Sequence, residues 1–343
     1  MTLSLKLPGS VALCGALMAF AAATQPASAL LIDPTFTSAI TSDPNAAAIE
    51  FAVNTAIGTI DSLYTNPGTV NVVFDEASGG FVAESETADY GFSYGAYTGL
   101  LAAASAAQPT NAVLATAIAN LASGNKPGPG GQVQVTTADA QVVLGSGVTG
   151  CFDNTGAFVS ACGTSYDGVV ALNTGLGLNY TTTGVGGEYS AIGAAEHEID
   201  EILGGGGQGS VLNGIPCGGS KTDYPDVGVL DLYRYSAPGV PSFSSCNGTN
   251  AYLSVDGGTT SIVAFNNNSG GDLADFGPAG YVQSANASLG FVPSYTTASP
   301  DFAMMESIGY DNAPVPEPAS LALLGSGLAG ILGLRRRRGA HSR

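Results

Sequence analysis

The sequence predicts an α+β fold, and three observations carry that reading. Alanine-rich stretches with apolar residues at helical spacing fall mainly in the first half of the chain. Short β-branched runs bounded by glycine and proline lie between and after them. No segment recurs at a fixed period, which argues against a solenoid or repeat adhesin, and helices and strands are segregated more than alternating.

The elements follow in order. Asp43-Pro44 precedes a helix over 45–64, with Ile49, Val53, Ile57 and Ile60 on one face and a stop at Asn66-Pro67-Gly68. A strand is expected at 69–74. Residues 93–123 read as two helices divided at Gln108-Pro109, the second stopped by Gly124, and 126–131 is a loop. Strands are expected at 132–136, 140–144, 157–160 and 168–172, then a helix near 189–203. Beyond Gly204 the chain is irregular and glycine-rich, with strands at 228–235, 251–255 and 260–265, a tight turn at Asp256-Gly257, and a last helix at 301–309 between Ser299-Pro300 and Gly309.

Residues 1–29 read as a signal peptide: Lys6, an apolar stretch from Val11 to Ala23, and Ala27-Ser28-Ala29 before the cut, implying signal peptidase and export. The body divides into 30–204, which contains the helix of interest, and 205–313; residues 314–343 form a separate tail. In the body only Lys126, Lys221 and Arg234 oppose every carboxylate but Glu317, which excludes nucleic acid as a partner, because phosphate binding needs clustered cations. Such a surface keeps an exported protein soluble and attracts divalent cations. Cys151, Cys162, Cys217 and Cys246 allow three pairings; the turn sequence Asp153 to Gly156 favours Cys151–Cys162 closing a hairpin and Cys217–Cys246 closing a longer loop.

The tail reads Val315-Pro316-Glu317-Pro318, an apolar run over 319–334, then Arg335 to Arg338. It resembles a PEP-CTERM sorting signal. That resemblance implies an exosortase as partner, a transient membrane anchor in 319–334, and release to the cell surface or exopolymer matrix of a Gram-negative-type bacterium. The run is short for a bilayer, which takes about 20 residues.

The chemistry concentrates at 194–204. His197, the body's lone histidine, is followed by Glu198 and, four residues on, by Glu201. On a helix, Ile192, Ala195, Ile199, Ile202 and Leu203 share an arc of roughly 100°, with His197 and Glu201 together on the opposite side. A zinc ion with three protein ligands keeps a position open for water and needs a carboxylate nearby to take its proton. His197 and Glu201 are the expected ligands and Glu198 the expected general base. The third ligand is expected at Asp231, with Asp226 the runner-up. A carboxylate within about 4–5 Å of both His197 and Glu201 is the geometric requirement. Replacing a ligating imidazole with Glu201 makes the site harder and weakens the preference for zinc over manganese or calcium.

The spacing resembles the His-Glu-x-x-His-x-x-Gly zincins of the metzincin type, with Gly204 at the glycine position, Glu201 in place of the second histidine and Gly207 where a third ligand would stand. Together with Asp231 to Gly239, Ser254 to Gly258, Gly270 to Asp275 and Ser307 to Asp311, the run resembles exported bacterial proteins described as PEP-CTERM-associated metalloproteases, in which the Glu variant recurs. The resemblance implies a zincin-like, metzincin-related core, an irregular β-rich C-terminal subdomain, Zn2+ as cofactor and metalloendopeptidase activity on a polypeptide substrate.

Tyr235 and Arg234, with Tyr233 sharing Tyr235's face of a strand, are candidates for oxyanion or substrate contacts. Met304-Met305 invites comparison with a Met-turn but sits inside a helical pattern. A surface helix with Glu196, His197, Asp200 and Glu201 on its polar side is the plainer reading of the motif. A second functional reading is a non-catalytic, acidic surface or matrix protein that binds Ca2+ through Asp272 to Asp275. An ice-binding label would rest on the C-terminal signal only, since no regular Thr-x-Thr repeat is present.

Overall fold

The computed structural model describes residues 30–312; the signal peptide and the sorting tail with its 319–334 segment lie outside the described residues. The chain opens with β1 (Leu30–Phe36), a turn of helix α1 (Ser38–Thr41), α2 (Ala46–Leu63) and β2 (Gly68–Glu76). β1 and β2 pair in parallel, Leu30 with Gly68 through Phe36 with Phe74, so α2 is a crossover helix. Its inner face is the apolar stripe read from sequence, Ile49, Val53, Ile57 and Ile60, all buried.

β3 (Ala83–Thr87), β4 (Asp89–Phe92), α3 (Tyr94–Ala107), α4 (Ala112–Asn120), β5 (Val133–Thr136), α5 (Thr137–Val142) and β6 (Gly168–Leu172) follow. The main sheet has the order β1-β2-β6-β3, parallel except for β3, which lies antiparallel on β6 and forms the edge. After β7 (Leu178–Asn179) and β8 (Tyr189–Ser190) comes α6 (Ala191–Ile202), which packs against α2, β3 and β6. The remainder is irregular: β9 (Val227–Gly228), β10 (Arg234–Ala237), β11 (Val240–Pro241), β12 (Tyr252–Leu253), β13 (Val263–Ala264) and α7 (Pro300–Ile308). β4-β5-β9 and β11-β10-β12-β13 make two smaller sheets, and one apolar cluster runs from Leu30 to Tyr310.

The class is mixed α+β, although the opening βαβ unit is less segregated than the sequence pattern implied. Three expected strands change. Residues 140–144 lie mostly in or just after α5, because the Thr136 hydroxyl accepts from the Asp139 amide and caps a helix there. Residues 157–160 contribute a single bridge, Phe158 to Phe152. Residues 228–235 are interrupted by a 3-10 turn, Leu230–Tyr233, so Tyr233 and Tyr235 do not share a strand face. Helix α7 matches its signals: Ser299 accepts from the Phe302 amide, Pro300 starts it, and Gly309 at φ 115° ends it. Both disulfides, Cys151–Cys162 and Cys217–Cys246, are formed. Among the described residues no helix is long and apolar enough to cross a membrane.

Candidate metal centre

Helix α6 is a central helix. The Ser190 hydroxyl caps it by accepting from the Gly193 amide, and Ile192, Ala195, Ile199 and Ile202 enter the core as their spacing predicts. Glu196, Glu198, Asp200 and Glu201 are buried too, the most accessible of them only 6% exposed. A surface helix with a solvated polar side is therefore not what the chain builds. Four interior carboxylates on one helix are costly unless paired, protonated or bound to a cation.

Two of these acids lie away from the cleft. Asp200 accepts from the Tyr295 hydroxyl at 2.9 Å, which itself meets the Tyr64 hydroxyl at 2.7 Å, and burial holds the Asp200 carboxyl well above the usual range. Burial likewise pushes Glu196 up to about 8. Glu196 is thus suited to remaining protonated at neutral pH.

His197, Glu198 and Glu201 line a cleft of about 570 Å³, with Asp272 and Asp275 opposite and the edge strand β3 contributing Ala83, Glu84 and Ser85. The His197 Nδ1 lies 2.9 Å from the Val282 carbonyl, an acceptor, so that nitrogen carries a proton. Nε2 then faces the carboxylates, 3.7 Å from Glu201 Oε1 and 3.5 Å from Asp275 Oδ2. His197, Glu198 and Glu201 each offer an atom with all three within 4.8 Å of one another, and so do Glu201, Asp272 and Asp275.

Glu201 is the most firmly held of these. Ser85 Oγ donates to Oε2 at 2.6 Å and the Gly207 amide donates to Oε1 at 2.8 Å. Burial would raise its carboxyl, but the hydrogen bonds and charge of His197, with those from Ser85 and Gly207, win and hold it below the usual range. For His197 burial opposes the charge, yet Asp275, Glu201 and Glu198 outweigh it and raise the imidazole well above the ordinary histidine value. Glu198 and Asp275 are raised well above the usual carboxyl range, first by burial and next, among the effects pushing upward, by the charge of Glu201.

The glycines after α6 make this approach feasible. Gly204 (φ 98°) and Gly206 (φ 46°) take left-handed conformations that turn the chain back. A methyl on Gly207 would sit 2.6 Å from Asp272 Cγ and 2.7 Å from Glu201 Oε1. The position where a metzincin would place its third ligand is thus filled by a carboxylate from a distant loop. Met304 and Met305 are buried within α7; their side chains would meet a methyl on Gly205 at 2.7 and 2.9 Å, and the Gly206 amide points at Met304 Sδ.

The other expected site residues lie elsewhere. Asp231 accepts from Ser210 Oγ at 2.6 Å and from the amides of Val211 and Gly228 at 3.1 and 2.8 Å, so its carboxylate is spent on bracing the 3-10 turn, outside the His197 cluster. Asp226 is committed to β5, accepting from the Gln132 amide and Gln134 Nε2. Tyr235 Oη pairs with Ser123 Oγ at 3.2 Å, and neither it nor Arg234 lines the cleft. Arg234 is buried on the Phe265 ring and donates Nη1 to the Leu273 carbonyl at 2.6 Å, which fixes the loop carrying Asp272 and Asp275.

Residues 314–338 match the PEP-CTERM protein-sorting motif. The match covers the tail alone, and it gives the chain a PEP-CTERM sorting motif. Signals of this kind are recognised by an exosortase and imply export to the cell envelope or surface in Gram-negative bacteria. No curated protein and no solved structure matches the chain. The metalloprotease resemblance is therefore carried by the residues of the body alone.

Proposed function

We propose that the exported body is a metal-dependent peptidase with a zincin-like site, in which His197, Glu201 and Asp275 hold the ion and Glu198 is the general base. The observation that carries this reading is Asp275 Oδ2 lying 3.5 Å from the same His197 Nε2 that faces Glu201 Oε1 at 3.7 Å. Asp275 supplies what the sequence motif lacks, and it replaces Asp231 as third ligand.

The donor set fits a divalent ion. The second oxygen of Asp275, Oδ1, is buried without a partner, and the Val282 carbonyl on Nδ1 fixes the tautomer that presents Nε2. One imidazole with two carboxylates accommodates zinc or manganese. Bound there, the ion supplies Lewis acidity that lowers the pKa of water and polarises a carbonyl. Glu198 then takes the proton of the attacking water and hands it to the amine leaving the cleaved C–N bond.

The edge strand supports a peptide substrate. Among the described residues β3 pairs with β6 on one side only and has no strand beyond it, and Ala83 to Ser85 border the cleft beside His197 and Glu201. An extended chain can add to such an edge through main-chain hydrogen bonds, bringing a scissile carbonyl to the site.

Zinc content and hydrolysis of an unstructured peptide test the reading on the full chain. His197→Ala is expected to lose zinc and activity together, whereas Glu198→Gln keeps zinc and loses hydrolysis by about 10²–10⁴-fold. A wild-type protein that holds no stoichiometric metal after dialysis, or a Glu198→Gln variant with undiminished turnover, overturns it.

A further inference from the structure

We propose that a second cation site, built of oxygen ligands alone, adjoins the His197 site and takes Ca2+ or a similarly hard divalent ion through Glu201, Asp272 and Asp275. These three carboxylates each place an oxygen within 4.8 Å of the others. The site shares Glu201 and Asp275 with the ion of the preceding section, so it deepens that reading and rests on the same cleft.

Acidic residues in a cluster do not by themselves make a site, and the independent observation comes from Gln283. It is 0% exposed, and its Nε2 donates to the His197 carbonyl at 2.7 Å, which leaves Oε1 buried with no partner among the described residues. Asp275 Oδ1 is in the same condition. Both atoms face one spot: a methyl on Gly206 would collide with Gln283 Oε1 and come within 3.0 Å of Asp275 Oδ1. The next glycine faces the other two ligands, Glu201 Oε1 and Asp272. Gly206 and Gly207 thus form a side-chain-free floor between four oxygen-bearing side chains. Two buried acceptors that share one space without a donor repel, and a cation in that space removes the cost.

The loop is built to hold this geometry. Asn213 Nδ2 donates to Asp272 Oδ1 at 2.8 Å, Asn266 Nδ2 donates to the Asp272 carbonyl at 2.9 Å, and Arg234 holds the Leu273 carbonyl. Three carboxylates and an amide oxygen, with no nitrogen or sulfur donor, select a hard ion, and calcium tolerates the irregular geometry that magnesium does not. Asp272 stands exposed at the cleft mouth, where water completes the coordination shell.

The test measures zinc and calcium bound per full-length chain by equilibrium dialysis with each metal alone and with both together, alongside thermal unfolding. The wild type is expected to bind one of each, with calcium raising its Tm. Asp272→Asn, an exposed and nearly isosteric change, keeps zinc but weakens calcium at least tenfold and abolishes the calcium-dependent rise in Tm. His197→Ala loses zinc and keeps calcium. A wild type that binds zinc but no calcium, an Asp272→Asn variant with undiminished calcium affinity, or loss of both ions together in His197→Ala overturns the second site. Calcium bound without zinc or hydrolysis upholds this site and overturns the peptidase reading instead.

Discussion

Gly207→Ala isolates the close approach on which the whole cleft depends. The added methyl would lie 2.6 Å from Asp272 Cγ, 2.8 Å from Asp272 Cβ and 2.7 Å from Glu201 Oε1, all closer than carbon contacts allow. Something must move, and the hydrogen bonds decide what. Glu201 is pinned by Ser85 and by the Gly207 amide, which alanine retains, whereas Asp272 is exposed and its carboxylate is held by Asn213. Asp272 therefore swings outward. Overpacking of this kind costs about 1–3 kcal/mol. Gly207 does not require a positive φ, so the smaller entropy of the unfolded alanine chain offsets about 0.4–1 kcal/mol. The expected net loss is about 1–2 kcal/mol by urea unfolding of the metal-free chain. Zinc at His197 should change by less than about threefold, while calcium weakens by more than about tenfold, equivalent to roughly 1.4 kcal/mol. Gly214→Ala is the control, because a methyl there meets nothing within 4 Å. If Gly207→Ala matches that control in both stability and calcium affinity, the packing argument is wrong.

Further outcomes concern charge and covalent structure. Burial raises Asp167 to about 6 from an unfolded value of 3.8, so its folded form binds the proton more tightly. The stability it contributes is full below pH 4 and lost as the pH rises to about 6, roughly 3 kcal/mol in all. Asp167→Asn, which keeps an acceptor for the Asn71 amide, should flatten that part of the unfolding-versus-pH curve; a parallel curve would refute it. The disulfides close loops of 11 and 29 residues, for which chain entropy gives about 2.8 and 3.6 kcal/mol. Replacing Cys217 and Cys246 with serine should therefore lower stability more than replacing Cys151 and Cys162, and a reversed order under the same denaturant would refute the entropic ranking. The surrounding carboxylates raise His197, so a proton competes with zinc for its imidazole. Zinc titration in buffers of different ionisation enthalpy should show proton release, and a buffer-independent heat would contradict it.

The helices were legible because their signals are local. α4 and α7 carry side-chain caps, and α2, α4 and α7 all have periodic apolar residues and glycine or proline stops within a few positions of their ends. The strands that escaped notice obey longer-range rules. β3 reads Ala-Glu-Ser-Glu-Thr, a composition that disfavours strands, and it is a strand because β6 offers it a partner and an edge strand tolerates charge. β1 starts at the expected signal-peptide boundary and contains Pro34, and it owes its existence to the parallel partner β2 beyond the crossover helix. Residues 140–144, expected as a strand, go the other way: the Thr136 cap and the alanines of α5 decide for helix.

The site shows the same division. His197, Glu198 and Glu201 could be placed together from sequence because three residues on one helix have fixed relative positions. The third carboxylate could not, since nothing in the local pattern distinguishes Asp231, which braces a turn, from Asp275, which reaches the histidine. The one local clue lay in Gly207. A glycine where a ligand side chain would be expected means that something else fills the space, and the occupant proved to be Asp272. The acidic loop at 272–275, read from sequence as the mark of a non-catalytic calcium-binding protein, is the same loop that brings Asp275 Oδ2 to 3.5 Å from His197 Nε2. The two functional readings therefore compete less than the sequence implied. A hydrolytic ion at His197 and a hard cation at Asp272 would share Glu201 and Asp275.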